Sequence, residues 1–155
     1  MTIEEKLSSA GITLPEAPKP LGSYVACVRT GNLLFLSGML PLRNGKLARQ
    51  GRVGETVSLS EAQEDAGQAV INALAVIKDQ AGSLEAIKQC IKINGYVASA
   101  PDFSDQPKVL NGASDLLFKV LAEAGRHARV AVGVSVLPLN APIEIDFIFE
   151  MFPDS

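Results

Sequence analysis

The stretch HARVAVGVSVLPLNAPIEIDFIFE, from His127 to Glu150, decides how this chain folds. It contains two segments in which an apolar residue occupies every second position. The first apolar set is Val130, Val132, Val134 and Val136, and the second is Ile143, Ile145, Phe147 and Phe149. A period of two is typical of strands that bury one face. The stretch therefore predicts two long strands, each with its apolar set turned toward the core.

The opposite face of each predicted strand carries a charged residue, Arg129 in the first and Glu144 in the second. A charge near the interior of a sheet needs a partner or a function. If residues 138–141 form a hairpin turn, Ser135 lies opposite Glu144 and Arg129 lies opposite Glu150. At a rise of about 3.3 Å per residue, Arg129 is then on the order of 20 Å along the ladder from Glu144. We expect the two to act together only where a second subunit supplies one of them.

Length and composition predict one soluble globular domain over residues 1–155, in which residues 1–16 form an N-terminal extension with a short helix. The chain is 47% hydrophobic and 20% charged, which is typical of such domains. A net charge of −3, 5% aromatic residues and no Trp argue against a nucleic-acid partner. The acidic N-terminus does not resemble a signal peptide, and no apolar run approaches a membrane span. We expect a cytoplasmic protein with no membrane partner.

The two cysteines, Cys27 and Cys90, are far apart and accompany a single histidine, His127. This count argues against a disulfide framework or a zinc site, and we expect neither a metal nor a cofactor. Cys90 falls in an apolar strand and is predicted to be a core residue, whereas Cys27 fits a buried or an exposed position. A catalytic thiol paired with His127 stays open, although no motif supports it.

The remaining elements follow from caps, turns and periodicity. Capping-box patterns at Thr2–Glu5 and Ser58–Glu61 predict helices over Ile3–Ala10 and Leu59–Ala81. A third helix is expected from a cap at Asp105 to about Ala124. The predicted buried stripe of the long helix is Ala62, Ala66, Ala69, Val70, Ala73 and Ile77. That of the third helix is Val109, Ala113, Leu116, Val120 and Ala124. Further strands are expected over 24–29, 33–37, a short segment from about residue 39, and 87–98.

This order of elements predicts a two-layer α+β domain, with two long helices on one face of a mixed, mainly antiparallel sheet. The other face, to which Arg129 and Glu144 are assigned, carries too little charge to be exposed to water. Symmetric oligomerisation is the expected way to cover it.

The C-terminal residues Ala128-Arg129-Val130-x-Val132, Leu137-Pro138 and Ile143-Glu144-Ile145 resemble the signature of the YjgF/RidA family. These proteins are reactive intermediate (enamine/imine) deaminases, also called endoribonuclease L-PSP. The N-terminal half agrees at Gly22-x-Tyr24, Gly31-Asn32 and Ser37-Gly38, so the similarity covers residues 17–149. His127 departs from the family, which usually has Pro there, and Ala131 from the Cys of many members. These departures and the longer segments at 46–55 and 101–108 indicate a divergent subgroup.

The resemblance implies a chorismate-mutase-like fold assembled as a homotrimer, with sites in the clefts between subunits and no cofactor. It assigns carboxylate binding to Arg129 and the positioning of a water molecule to Glu144. It also implies that the site contains Tyr24, Ser37, Gly38, Asn111 and the backbone of Ala131.

Hydrolysis of an imine needs a substrate anchor and a water molecule aimed at an already electrophilic carbon. Arg129 can donate two parallel hydrogen bonds to the carboxylate of a 2-imino acid, and Glu144 can orient or deprotonate the water. Tyr24 can close the pocket and give a proton to the leaving nitrogen. The expected reaction converts 2-aminoacrylate or a larger 2-imino acid into a 2-oxo acid and ammonia.

Purely structural roles for these residues also stay open. Arg129 and Glu144 also fit an interface ion pair, and Tyr24 fits the edge of the core. Ser37 and Asn111 fit hydrogen bonds to backbone. Two other functions stay open for the chain, a non-catalytic trimer that binds small carboxylates and, more weakly, a ribonuclease, for which a single histidine leaves no acid/base pair.

Overall fold

The computed structural model describes residues 1–154, which fold as a five-stranded sheet with a helical layer packed on one face. The sheet has the strand order β1-β2-β7-β5-β6, and a separate two-stranded ribbon is formed by β3 and β4. The strands are β1 (Cys27–Thr30), β2 (Leu33–Met39), β3 (Leu42–Arg43), β4 (Lys46–Leu47), β5 (Ile87–Ala98), β6 (Ala128–Val134) and β7 (Ile143–Met151). The predicted α+β class and mixed, mainly antiparallel sheet are confirmed, since only β5 and β6 pair in parallel among these strands.

The helices begin and end close to their predicted bounds. They are α1 (Ile3–Ser9), α2 (Leu59–Ala81) and α3 (Gln106–Leu121). Both capping boxes are formed, at Thr2 with Glu5 and at Ser58 with Glu61. Asp105 occupies the N-cap position of α3, but its side chain makes no capping hydrogen bond. Its backbone, at φ −94° and ψ 29°, is not in the extended region from which such side chains reach the first turn.

The helices and the sheet enclose one hydrophobic core. All six residues of the predicted α2 stripe are buried. The α3 stripe is only partly as predicted, because Leu116 and Ala124 are half-buried while Leu110 and Leu117 are buried in their place. Ile3 and Leu7 of α1 also belong to this core, so the N-terminal segment packs on the domain. Cys90 is fully buried, as predicted, and burial raises the pKa of its thiol to about 12.

The strand expected from residue 24 begins at Cys27, and the segment after Met39 forms the short ribbon of β3 and β4 around Asn44-Gly45. The predicted hairpin between the last two strands is wrong. β5 lies between β6 and β7, pairing in parallel with β6 and antiparallel with β7. Residues 135–142 therefore cross from one side of β5 to the other, and neither predicted pairing of Ser135 and Arg129 with β7 exists.

The connection between β6 and β7 is held by the loop that follows β4. The Gln50 side chain donates to the Leu139 carbonyl (2.7 Å), the Gly51 N–H to the Asn140 carbonyl (2.9 Å), and Arg52 Nε to the Ser135 carbonyl (2.8 Å). These bonds fix the chain where the hairpin was expected, and they satisfy backbone groups that a hairpin ladder would otherwise pair.

The predicted orientation of β6 is also wrong. Arg129 pairs with Ile93, which pairs with Phe147, and both neighbours are buried under the helices. Paired residues point to the same side of a sheet, so Arg129 faces the helical layer. Val130 and Val132 face the open side and are 43% and 41% exposed. In β7 the prediction is confirmed, because Ile143, Ile145, Phe147 and Phe149 are buried.

Within the described residues, no helix is long and apolar enough to cross a membrane.

Candidate functional site

Four of the predicted site residues, Tyr24, Ser37, Gly38 and Glu144, line one cavity of about 250 Å³. We call it the glutamate pocket. It lies beside the pairing of β2 with β7. Between Leu36 and Met39, β2 has a β-bulge in which two of its residues lie opposite one residue of β7. Bulges re-aim side chains and interrupt pairing next to functional sites. The rest of its wall is Pro18, Lys19, Pro20, Leu21, Ala26, Met39, Leu40, Leu42 and Pro138.

The bulge brings Gly38 directly against Glu144. A Cβ at position 38 would lie 2.9 Å from Cδ of Glu144, closer than the van der Waals radii of two carbon atoms allow. Only glycine therefore leaves the Glu144 carboxyl group in its present position. The residue before it, Ser37, donates its hydroxyl to the Val25 carbonyl at 2.6 Å, which ties the bulge to the segment that precedes β1.

Tyr24 lies at the rim of the glutamate pocket and is 51% exposed. Its hydroxyl accepts a hydrogen bond from the Leu21 N–H at 3.3 Å. The ring therefore borders the cavity, and the phenol proton stays available for another acceptor.

Glu144 is half-buried, and burial and then the Asp146 carboxylate raise the pKa of its carboxyl group. Asp146 stands on the same face of β7, two residues further on, and accepts hydrogen bonds from Asn94 Nδ2 (2.7 Å) and the Tyr96 hydroxyl (3.1 Å). A carboxylate with a raised pKa beside a cavity has the properties of a general base.

The other predicted polar residues, Asn111 and Arg129, meet at the far edge of the sheet. Arg129 Nη1 donates to Asn111 Oδ1 at 2.9 Å and to Ser114 Oγ at 3.1 Å, and Nη2 donates to the Pro107 carbonyl at 3.2 Å. Ser114 Oγ is also 2.8 Å from His127 Nε2, and His127 Nδ1 is 2.6 Å from the Gly125 carbonyl. We call Asn111, Ser114, His127 and Arg129 the arginine cluster.

The arginine cluster leaves part of the guanidinium free for a ligand. A guanidinium has five N–H groups, and three of them bind acceptors within residues 1–154. The remaining two are on Nε and Nη2, two nitrogens bonded to the same carbon. Two N–H groups on adjacent nitrogens are what a carboxylate accepts from arginine in a bidentate contact.

The glutamate pocket and the arginine cluster do not meet within one chain. Arg129 faces the helices, and it is level with Phe147 across the two ladders. Glu144 pairs with Tyr96 and faces the open side of the sheet. Their Cα atoms are two strand spacings apart across the sheet and three residues apart along it, which gives a distance on the order of 14 Å, and their side chains are on opposite faces. Arg129 and Glu144 are therefore separated within one chain, but by about 14 Å across opposite faces of the sheet and not by about 20 Å along a hairpin.

Ala131, the last predicted site residue, lies on the helix side of β6 two residues beyond Arg129 and pairs with Gly95. Its side chain packs against the core. Sequence reasoning missed the parts played by Ser114 and Asp146, and it assigned His127 no contact with the residues around Arg129. The signals were present, since Ser114 follows Asn111 by one helical turn and Asp146 follows Glu144 at the period of a strand face.

The sequence and the fold both match known proteins. Residues 4–151 match the YjgF/chorismate mutase-like family model, whose description also names an endoribonuclease. Protein TCP17 of Trypanosoma cruzi is 37% identical over 150 residues, which are 96% of this chain and 94% of that protein. A 2-iminobutanoate/2-iminopropanoate deaminase of Dermatophagoides farinae is 30% identical over 137 residues, 88% of this chain and 92% of its own.

A solved structure agrees over nearly the whole chain. The protein Atu1372 of Agrobacterium tumefaciens, whose function is unknown, superposes with a TM-score of 0.89 at 46% identity, covering 97% of this chain and 92% of that one. The fold and the sequence thus point to the same group of proteins.

Proposed function

The chain belongs to the YjgF/chorismate mutase-like family, and we propose that it is an imine deaminase that hydrolyses reactive 2-imino acids to 2-oxo acids and ammonia. One observation carries the proposal: Glu144 is a half-buried carboxylate with a raised pKa in the wall of the glutamate pocket. The imine deaminase named among the relatives supports the same chemistry. We also propose a cytoplasmic location. Relatives differ in location, and one of Saccharomyces cerevisiae is named as mitochondrial.

The proposed site is completed by a second copy of the chain, in a homotrimer. The glutamate pocket and the arginine cluster lie on opposite faces of one sheet, so a single small substrate cannot reach Glu144 and Arg129 of the same chain. A neighbouring copy that packs on the open face can bring its own arginine cluster to the pocket. Closed symmetry then repeats the same site in every subunit.

The chemistry follows from the groups in these two places. The free N–H groups of Arg129 hold the substrate carboxylate, and Glu144 takes a proton from a water molecule as its oxygen adds to the C=N carbon. Delivery of that proton to the imine nitrogen, from Glu144 or through Tyr24 as a shuttle, gives the neutral carbinolamine. Glu144 then takes the proton of the carbinolamine hydroxyl and the amino nitrogen receives a proton by the same route, so that the C=O bond of the 2-oxo acid forms as the C–N bond breaks and ammonia leaves. Water supplies the oxygen, and no oxidant or reductant is consumed.

The test is a panel of amino acids passed through an imine-generating oxidase, with release of 2-oxo acid followed in time. Arg129→Lys keeps the charge but loses the paired donors, so we expect a severe loss of kcat/KM. Glu144→Gln removes the base, so we expect kcat to fall more than KM rises, by about 10²–10⁴-fold. If Arg129→Lys and Glu144→Ala both act at the parent rate on every imino acid, the site assignment is wrong.

A non-catalytic carboxylate-binding trimer is the second candidate. The observation that favours it is that Arg129 keeps donors on Nε and Nη2 beyond its bonds within the arginine cluster, without any contribution from Glu144. A parent protein that is inactive on the whole panel, yet binds small carboxylates through Arg129, would establish this function instead.

The endoribonuclease of the family description is the weakest candidate. Both ring nitrogens of His127, the single histidine, already have partners. RNA cleavage that survives removal of contaminating nucleases and disappears in Arg129→Ala would revive it.

A further inference from the structure

The guanidinium of Arg129 is held by a relay of hydrogen bonds that starts at a backbone carbonyl. The Gly125 carbonyl can only accept, so His127 Nδ1, at 2.6 Å, is the donor in that contact. In the neutral imidazole, Nε2 then carries a lone pair and accepts the Ser114 hydroxyl at 2.8 Å. With its proton directed at His127, Ser114 Oγ presents a lone pair to Arg129 Nη1 at 3.1 Å.

This relay fixes the direction of the hydroxyl of Ser114. A serine hydroxyl rotates freely and can be donor or acceptor, and a hydroxyl whose proton faced Arg129 would repel the guanidinium. His127 removes that alternative by accepting the proton. Arg129 Nη1 is thereby saturated by Ser114 and Asn111, and the N–H groups left for a ligand are those on Nε and Nη2.

We infer that Ser114 and His127 are positioning residues, which set the Arg129 guanidinium in the orientation that binds the carboxylate of the substrate. The inference rests on the proposed function and names the part of that site which determines affinity for the carboxylate. Neither residue touches the reacting carbon. Their effect is that Arg129 is ordered before the ligand arrives, so that binding does not have to order it.

The test compares Ser114→Ala and His127→Ala with the parent in two assays. Dissociation constants are measured by calorimetry for 2-oxobutanoate, used as a probe of the product class, and kcat and KM are measured for hydrolysis of imino acids. The carboxylate does not react, so its contacts act equally on the ground state and the transition state. We expect each substitution to raise the Kd and the KM about tenfold, the effect of one hydrogen bond to a charged group, with kcat changed less than twofold.

Conservative substitutions separate positioning from general damage to the fold. Ser114→Thr keeps the hydroxyl, and His127→Gln keeps an acceptor for it, so both are expected to restore a Kd within about threefold of the parent. The matched control is Arg29→Gln, an arginine of β1 at the opposite edge of the sheet whose guanidinium pairs with Asp154. It should bind 2-oxobutanoate as the parent does.

A measurement on the unsubstituted protein completes the test. Because His127 is the single histidine, the ¹⁵N shifts of its ring identify the tautomer without further assignment. A neutral ring protonated on Nδ1 supports the relay, whereas a proton on Nε2, in a neutral or a doubly protonated ring, overturns it even if the alanine variants fail to fold. Unchanged Kd values in Ser114→Ala and His127→Ala would also overturn it, as would a parent protein that does not bind 2-oxobutanoate. If the parent binds 2-oxobutanoate but does not hydrolyse imino acids, only the deaminase proposal is overturned. The Kd values of the variants then still test whether Ser114 and His127 position Arg129.

Discussion

At the scale of single residues, the most informative group is the carboxyl of Glu144, because its surroundings determine both its position and its pKa. Gly38 leaves room for it, and burial and then Asp146 raise its pKa. A group held in this way is poorly suited to stabilise the fold and well suited to accept a proton.

The pH dependence of the reaction should report this environment. A general base acts only when ionised, so kcat/KM should fall as the pH drops through the pKa of Glu144, which lies above its ordinary value. Asp146→Asn removes the second cause of that rise and leaves burial in place. We expect the acid limb of the pH profile to move to lower pH without reaching the position of an ordinary glutamate.

The control for this prediction is Glu150→Gln, because Glu150 is a carboxylate of the same strand that is paired with Lys88 (2.9 Å) and lies six residues away from Glu144. Its acid limb should coincide with that of the parent. A limb that stays in place in Asp146→Asn, or moves to higher pH, would show that Asp146 does not act on the carboxyl group of Glu144.

Residue types and motif predicted Glu144, Tyr24, Ser37 and Gly38, which the structure brings to one cavity. The hydrogen bonds of the arginine cluster were harder to predict. These hydrogen bonds join α3 to β6. The sequence shows the helical period of α3 and the strand period of β6, but not which faces of the two elements contact each other. Which face of β6 meets α3 depends on packing, and the valines there suggested the wrong face.

At the scale of elements, the crossing of α2 and α3 depends on glycine. A Cβ on Gly112 would collide with the backbone carbonyl of Gln63 in α2, whereas a Cβ on Gly67 would meet its nearest neighbour, the Gly112 carbonyl, at 3.7 Å. Gly112 therefore allows close approach of the helices, and Gly67 has room for a methyl group.

These two glycines make a matched pair of tests. Gly112→Ala forces the helices apart, and overpacking of this kind costs about 1–3 kcal/mol of the free energy of unfolding. Gly67→Ala adds only a better helix former, a gain of up to about 1 kcal/mol. Urea denaturation of both variants measures the difference. Equal stabilities would mean that the crossing adapts without cost.

The elements differ in how well the sequence predicts them. The N-terminal ends of α1 and α2 follow from capping boxes that involve residues three positions apart. The pairing of β6 with β5 follows from no local signal, because alternation identifies a strand and its faces but not its neighbours. The hairpin was expected from proximity in sequence, and the long-range bonds of residues 50–52 explain why the chain crosses β5 instead.

At the scale of the whole molecule, the helices cover one face of the sheet and leave the other open. The exposed large apolar side chains on the open face include Val28, Phe35, Val130 and Val132. Large apolar side chains exposed on one face of a small domain indicate an interaction site. The open face also carries Glu144, so a copy that covers it approaches the glutamate pocket.

We therefore expect the chain to assemble as a trimer. Light scattering in dilute buffer should give three times the chain mass of 16.3 kDa. Val132→Glu should lower that mass and abolish deaminase activity together, because symmetry places the new charge in every interface at once and burying it unpaired is costly. Gln80→Glu is the control, since it adds the same charge at an exposed position of α2 in the helical layer. It should keep both mass and activity. A parent protein that is monomeric and active would contradict the shared site, because one chain cannot bring Arg129 and Glu144 to the same substrate.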